Sequence, residues 1–92
     1  MYRIVPTKRC KRQLKKLRRS DEVLFKKLLS VVDRLAAKKE LDVSHRDHQL
    51  KGSLNMFREC HVEPDWLLIY RIDNDILILQ LIATGSHSNL FD

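Results

Sequence analysis

Two long apolar runs near the C-terminus constrain the fold more than any other feature of the sequence. They are WLLIYRI at 66–72 and DILILQLIA at 75–83, and each places apolar residues at odd and even positions alike. A strand that is apolar on both faces belongs in the middle of a covered sheet. We therefore predict that these two runs form the central strands of a sheet with other elements packed over it.

Two further strand-like segments accompany this pair. MFRECHV at 56–62 is joined to the first run by a turn containing Pro64, and Asp73-Asn74 marks the turn before the second run. YRIV at 2–5 predicts a short strand at the N-terminus. The pattern therefore predicts a three-stranded antiparallel meander and one separate N-terminal strand.

The segment between these strands predicts a two-helix hairpin followed by a loop. Thr7 is placed to cap the first helix, and Ser20 is predicted to cap the second, which ends near residues 38–39. The apolar residues that share one face of the first helix are Cys10, Leu14 and Leu17. Residues 40–55 show no periodicity and are predicted to form a loop, and a loop of that length is often functional.

These elements predict one α+β domain over residues 1–92, with both helices packed on one face of the sheet. An apolar fraction of 43% and a charged fraction of 33% are typical of a soluble globular protein. No apolar run approaches the ~20 residues of a membrane-spanning helix. Because Cys10 and Cys60 have no CxxC partner, we expect reduced thiols and a cytoplasmic location. The uncovered sheet face is expected to carry the function.

Positive charge is concentrated at the N-terminus. The chain has a net charge of +6, and residues 1–19, here called the basic segment, hold nine Lys or Arg and no acid. Such a segment attracts polyanions such as nucleic acid. The alternative interpretation is a solvated helix face that only favours solubility.

Four residues are candidates for acid–base catalysis, namely His48, His61, Asp65 and His87. They fall in the predicted loop, at a strand end, in a turn and in the tail, where a small sheet gathers functional groups. Histidine exchanges a proton near neutral pH, and a neighbouring carboxylate fixes its tautomer. Two such groups flanking a phosphodiester suit metal-free RNA cleavage, in which one deprotonates a ribose 2′-hydroxyl and the other protonates the leaving 5′-oxygen.

Two other interpretations of these residues remain open. A loop histidine is commonly a solvated side chain, and His45 is interpreted in that way. A zinc site is the second alternative, but Cys60 and His61 are adjacent on a strand and point to opposite faces. No CxxC or HxxxH pair anchors such a site.

Four more residues are candidates for RNA binding. Lys51 and Arg58 would hold a phosphate, although alternation puts Arg58 and His61 on opposite faces unless a bulge redirects one of them. Trp66 either stacks on an unpaired base or packs in the core. Phe91 closes the site, contacts a base or only docks the tail.

The second half of the chain resembles the YafQ-type toxins, a branch of the RelE/ParE superfamily of bacterial toxin–antitoxin modules. The motifs are DHxLxG from Asp47, HVEPDWxLIY from His61 and TGxHxxLF from Thr84. The first half matches only in pattern. GSLNMF at 52–57 departs from relatives, which often carry an aromatic residue directly after the Gly-Ser or Gly-Lys pair, where this chain has Leu54.

This resemblance implies a RelE-like microbial RNase fold and a ribosome-dependent endoribonuclease that cuts mRNA in the ribosomal A site without a cofactor. The catalytic positions of the family match His48, His61, Asp65 and His87, and positions that assist activity match Trp66 and Phe91. The implied partners are the ribosome, mRNA and a cognate antitoxin whose complex with the toxin binds operator DNA. The basic segment would dock on ribosomal RNA.

The division of catalytic labour is predicted with His87 as acid and with Asp65 and either His61 or His48 on the base side. One alternative function is that of the ParE branch, which binds a protein such as DNA gyrase and has no use for three histidines and an aspartate. The other alternative is a non-catalytic RNA-binding domain.

Overall fold

The computed structural model describes residues 1–91 as a mixed sheet with three helices. The strands are β1 (Arg3–Pro6), β2 (His48–Gln49), β3 (Arg58–Glu63), β4 (Trp66–Asp73) and β5 (Ile78–Gly85). The helices are α1 (Lys8–Ser20), α2 (Glu22–Ala36) and α3 (His87–Phe91). Single 3₁₀ turns lie at Val43–His45 and Gly52–Leu54.

The five strands are arranged in the order β1-β5-β4-β3-β2. Strand β1 runs parallel to β5, and the other neighbours are antiparallel. The α+β class and the central position of β4 and β5 are thereby confirmed. The predicted strand arrangement is corrected in detail, because the sheet has five strands rather than four.

Two of the added elements lie where no regular structure was predicted. Strand β2 falls inside the predicted loop 40–55, and α3 falls in the tail. The second apolar run also becomes a strand later than predicted, because the Asp73 carboxylate accepts hydrogen bonds from the N–H groups of Asp75 and Ile76. The resulting turn ends at Leu77, whose φ of 53° is left-handed rather than extended.

The N-cap of α1 is the predicted residue, and the N-cap of α2 is not. Thr7 caps α1, since its hydroxyl oxygen accepts from the Cys10 N–H at 3.1 Å. Asp21, not Ser20, caps α2, and its carboxylate accepts from the Leu24 N–H at 3.0 Å. The Ser20 hydroxyl instead donates to a carbonyl of its own helix, that of Lys16, at 2.9 Å.

Helices α1 and α2 cover one face of the sheet, as predicted. Their buried side chains pack with residues of β3, β4 and β5 in a single core that includes Leu28, Leu68, Tyr70 and Leu79. The thiols of Cys10 and Cys60 are free and fully buried. Within residues 1–91, no helix is long and apolar enough to cross a membrane.

Helix α3 lies against the opposite face. A Cβ built on Gly85 would meet the Leu90 side chain at 3.4 Å, so α3 returns over the end of β5 at close range. Leu67 and Ala83 are buried on this face, outside the main core. The sheet face opposite α1 and α2 is therefore partly covered, and α3 fixes where its open part begins.

Candidate active site

Two histidines converge on one buried carboxylate on the face opposite α1 and α2. His48 in β2 pairs directly with Glu59 in β3, and His61 lies two residues further along β3, so the three side chains share a face. The Nε2 atoms of His48 and His61 lie 3.7 and 3.6 Å from the same oxygen, Oε1 of Glu59. Exposed fractions of 9% for the Glu59 side chain and 18% for that of His61 show that this pair is largely shielded.

Backbone carbonyl groups orient both rings. The Nδ1 of His48 lies 2.6 Å from the Arg46 carbonyl oxygen, and the Nδ1 of His61 lies 3.3 Å from that of Pro64. A carbonyl oxygen only accepts, so each Nδ1 carries a proton and each Nε2 is left to exchange one. An imidazolium formed at either ring would lie within ion-pair distance of the Glu59 carboxylate.

Asp65 and His87 lie at the same end of the sheet as His61. In register, His61 faces Leu67 of β4, which faces Gly85 of β5. Asp65 belongs to the turn that leads into β4, and His87 begins α3 two residues after Gly85. Neighbouring strands are about 4.8 Å apart, so β3 and β5 span about 10 Å, a width that accommodates one nucleotide linkage. Within residues 1–91, no hydrogen bond or ion pair joins Asp65 or His87 to the other predicted catalytic side chains.

Arg58 lies on the helix-facing side of the sheet. Its Nε donates to the Tyr70 hydroxyl at 3.2 Å, and a terminal nitrogen donates to the Asp47 carboxylate at 3.2 Å. The register shift in β3 falls after His61, so no bulge turns Arg58 toward His61. The prediction that Arg58 and His61 serve one site is therefore corrected.

Arg58, Tyr70 and Asp47, here called the Arg58 cluster, instead fix the segment before His48. The Tyr70 hydroxyl also donates to Asp47, the residue that immediately precedes His48. Burial raises the pKa of the Tyr70 phenol, and the hydrogen bond to Asp47 raises it further. A cavity of about 590 Å³ borders this cluster on the side of the sheet away from His61.

The remaining predicted RNA-binding residues are dispersed. Trp66 packs against the main core on the helix-facing side, and its Nε1 donates to the Thr84 hydroxyl at 2.9 Å. The Phe91 side chain is 40% exposed, and its ring centroid lies 5.1 Å from that of His87. Lys51 is exposed beside the Gly52–Leu54 turn, with no ion-pair partner among residues 1–91.

His45 differs from its interpretation as a solvated side chain. It is half-buried, and its Nδ1 donates to the His61 carbonyl oxygen at 2.6 Å. Strand β2 pairs with β3 only at residues 58 and 59, so this bond holds β3 beyond the end of that pairing. His45 therefore supports the backbone of His61 from the helix side.

Two contributors to this site were absent from the sequence prediction. Glu59 was missed, although its spacing of two residues from His61 on a strand is a detectable pattern. Asp47 was also missed, and its role depends on Tyr70, which is distant in sequence. In the part of the chain that the structure describes, no group of three His, Cys, Asp or Glu side chains has the geometry of a metal site.

The Lys and Arg side chains of the basic segment are solvent-exposed. All nine of its cations are exposed, and within residues 1–91 none has an ion-pair partner. The α1 face that packs on the sheet is formed by Cys10, Leu14 and Leu17, as predicted. The cations are therefore available for an external polyanion.

Comparison with known proteins identifies relatives of the whole fold. The family described as the bacterial toxin of a type II toxin-antitoxin system, YafQ, matches residues 2–92. The mRNA interferase toxin YafQ of Escherichia coli K12 is 43% identical over 51 residues, which are 55% of this chain. That alignment spans about half of the relative, 53% of its length.

Solved structures match over nearly the full length of the chain. A metal-bound toxin from Helicobacter pylori is 43% identical with a TM-score of 0.90, covering 99% of this chain and 100% of the other. The toxin in an E. coli DinJ-YafQ complex is 28% identical with a TM-score of 0.86, and each chain is covered completely. These similarities extend to β1 and α1, where the sequence motifs are weakest.

Proposed function

The chain belongs to the YafQ family of toxins from bacterial type II toxin-antitoxin systems, and from this premise we propose that it is an mRNA interferase. The proposed reaction is endonucleolytic cleavage of mRNA in the ribosomal A site by one domain spanning residues 1–92. The observation that carries the proposal is the convergence of two imidazoles on the buried Glu59 carboxylate. Asp65 and His87 lie at the same end of the sheet.

The proposed chemistry is an in-line transfer within the RNA. Asp65, together with either His61 or His48, forms the base side that removes the 2′-hydroxyl proton, and the 2′-oxygen bonds to phosphorus while the P–O5′ bond breaks. His87 donates a proton to the leaving 5′-oxygen, which gives a 5′-hydroxyl and a 2′,3′-cyclic phosphate. The Glu59 carboxylate offsets the positive charge that an imidazole gains when it accepts a proton.

Substrate positioning is assigned to the ribosome. When another particle supplies orientation, a small exposed site is sufficient, because much of the barrier to such reactions is orientational. The exposed, unpaired cations of the basic segment support docking on ribosomal RNA. Lys51 and Phe91 are proposed to contact the message, and Arg58 is proposed to hold Asp47 and thereby His48.

The proposed partners also include a cognate antitoxin, whose complex with this chain binds operator DNA. Support comes from the E. coli DinJ-YafQ complex, which contains a toxin of the same fold. A cytoplasmic location is consistent with a ribosomal target and with the two free thiols. Co-purification of the chain with the product of an adjacent gene would test the antitoxin, and gel shift of the operon promoter would test DNA binding.

The decisive experiment is primer extension on translating ribosomes with wild-type protein and His87→Ala. Wild type should generate new mRNA ends, and His87→Ala should reduce their rate of appearance at least 100-fold. Ser88→Ala is the matched control, because Ser88 is an exposed neighbour in α3. Wild type without new ends would refute nuclease activity and favour a protein-binding toxin or a passive RNA-binding domain. His87→Ala at the wild-type rate would refute the role of His87.

End-group analysis tests the metal-free mechanism. The proposed reaction leaves 5′-hydroxyl ends, whereas water attack assisted by a metal typically leaves 5′-phosphate ends. Related H. pylori toxins were crystallised with a metal or with copper, so a chelator selective for transition metals should be included. Cleavage that stops with this chelator and resumes with added copper or zinc would contradict a metal-free reaction.

A further inference from the structure

A buried hydroxyl links the two segments that carry Asp65 and His87. Thr84 in β5 is 2% exposed, and its hydroxyl group both donates and accepts a hydrogen bond. It donates to the Leu67 carbonyl at 2.7 Å and accepts from the Trp66 indole Nε1–H at 2.9 Å. A threonine hydroxyl carries one proton, so the Leu67 carbonyl takes its only donor while an oxygen lone pair accepts from Trp66.

The connected segments are those of two proposed catalytic groups. Trp66 immediately follows Asp65, so the indole bond fixes the end of the turn that presents the carboxylate. Thr84 lies three residues before His87, with only Gly85 and Ser86 between them. Asp65 and His87 share no direct polar contact within residues 1–91, so Thr84 is a short, defined connection between their backbones.

The surroundings of Thr84 restrict its movement. A bulge in β5 interrupts the ladder beside Ile82, and the Thr84 N–H donates instead to the Gln13 side-chain oxygen at 2.9 Å. The Thr7 hydroxyl donates to the Ile82 carbonyl at 2.8 Å. On the far side, Leu90 of α3 packs against Gly85. Contacts from α1 and its N-cap therefore hold the bulge on one face of the sheet, and α3 packs on the other face.

We propose that Thr84 is a positioning residue that sets the separation of Asp65 and His87, and that Trp66 acts through its N–H bond to Thr84. This inference rests on the proposed nuclease function, because it assigns Asp65 and His87 to one reaction. The proposal also favours the core-packing interpretation of Trp66 over stacking on an unpaired base. The indole lies on the helix-facing side, where it holds the Asp65 turn and does not stack on a base.

The test uses variants that differ in which interactions they remove: Thr84→Val loses both hydrogen bonds of the hydroxyl, and Trp66→Phe loses only the indole N–H bond. Thr84→Val keeps the side-chain shape without the hydroxyl, Thr84→Ser keeps the hydroxyl without the methyl, and Trp66→Phe keeps an aromatic ring without the N–H. Cleavage rate at saturating ribosomes and the half-saturating ribosome concentration are measured separately. We expect Thr84→Val and Trp66→Phe to cleave roughly 10- to 100-fold more slowly, with unchanged half-saturation, and Thr84→Ser to retain most activity.

A double variant sharpens the result. Both substitutions break the same bond, so Thr84→Val combined with Trp66→Phe should be no slower than the slower single variant. Rates that multiply would mean that the two residues act independently and would overturn the proposal. Full activity of Trp66→Phe would also overturn it, because stacking on RNA needs the ring and not the N–H. If Thr84→Val does not fold, Trp66→Phe and Thr84→Ser decide the question.

A readout independent of cleavage separates this inference from the proposed function. The chain has one tryptophan, so a ¹⁵N NMR spectrum shows one indole N–H signal. That signal should exchange slowly in wild type and Thr84→Ser and faster in Thr84→Val, with backbone shifts at residues 65 and 87. Wild type that cuts no message would refute the nuclease proposal, whatever the indole shows. Active wild type with equally active Thr84→Val would refute only the positioning role.

Discussion

The two buried thiols should make the free energy of unfolding fall steeply above pH 9. Burial raises the pKa of the Cys10 thiol from 9.0 to about 11. Burial, together with the negative charges of Asp47 and Glu59, raises the pKa of the Cys60 thiol from 9.0 to about 12. Between pH 9 and 11 the unfolded chain therefore releases two protons that the folded chain keeps. The stabilisation is fully present below pH 9 and is lost as pH rises.

The size of the effect follows from linkage. At pH 10 each thiol is ionised in the unfolded chain and protonated in the folded chain. Each therefore lowers the free energy of unfolding by roughly 1 kcal/mol, because one pH unit corresponds to about 1.4 kcal/mol. The pair should lower the free energy of unfolding by roughly 2 to 3 kcal/mol between pH 8 and pH 10. That is a large fraction of the total stability of a small domain.

Urea denaturation at pH 8 and pH 10 measures this change in wild type and in the Cys10→Ala/Cys60→Ala double variant. The double variant should be less stable than wild type at pH 8 because it leaves two small cavities. Its decrease between the two pH values should nevertheless be smaller than that of wild type by roughly 2 to 3 kcal/mol. Equal decreases in both proteins would show that the two thiols ionise over the same pH range in the folded and unfolded chains, contrary to the raised pKa values.

Three further substitutions test other features. Tyr70→Phe removes the hydroxyl that joins Arg58 to Asp47 and should lower the free energy of unfolding by about 1 to 3 kcal/mol, measured by urea denaturation; no change would mean that this cluster is not stabilising. Gly52→Ala should cost about 1 kcal/mol in the same assay, because φ at Gly52 is +67°, and an unchanged midpoint would contradict that conformation. Lys15→Glu should weaken ribosome binding and flatten its dependence on salt, and an unaltered salt dependence would remove α1 from the docking surface.

The parts of the fold that the sequence predicted are those decided by local pattern. The runs at β4 and β5 are apolar on both faces, and only a central position in a covered sheet satisfies that pattern. Thr7 caps α1 because its hydroxyl reaches an N–H three residues away. Each of these features is specified within about ten consecutive residues.

The parts that the sequence did not predict depend on contacts between distant segments. Strand β2 has two residues and no alternating pattern of its own, and Asp47 beside it is held by Arg58 and Tyr70. Helix α3 has five residues, too few to show helical periodicity. The register of the central strands brings Asp65 and His87 to one end of the sheet, and register depends on tertiary pairing.

The parallel pairing of β1 with β5 has a consequence for synthesis. Arg3 lies beside Ile78, so the first strand cannot find its neighbour until most of the chain has been made. Closing so long a loop delays the last step of folding. A nascent chain of this kind would display its cationic helix before the proposed active site exists. Attraction to RNA and the proposed cleavage activity would thus arise at separate times during synthesis.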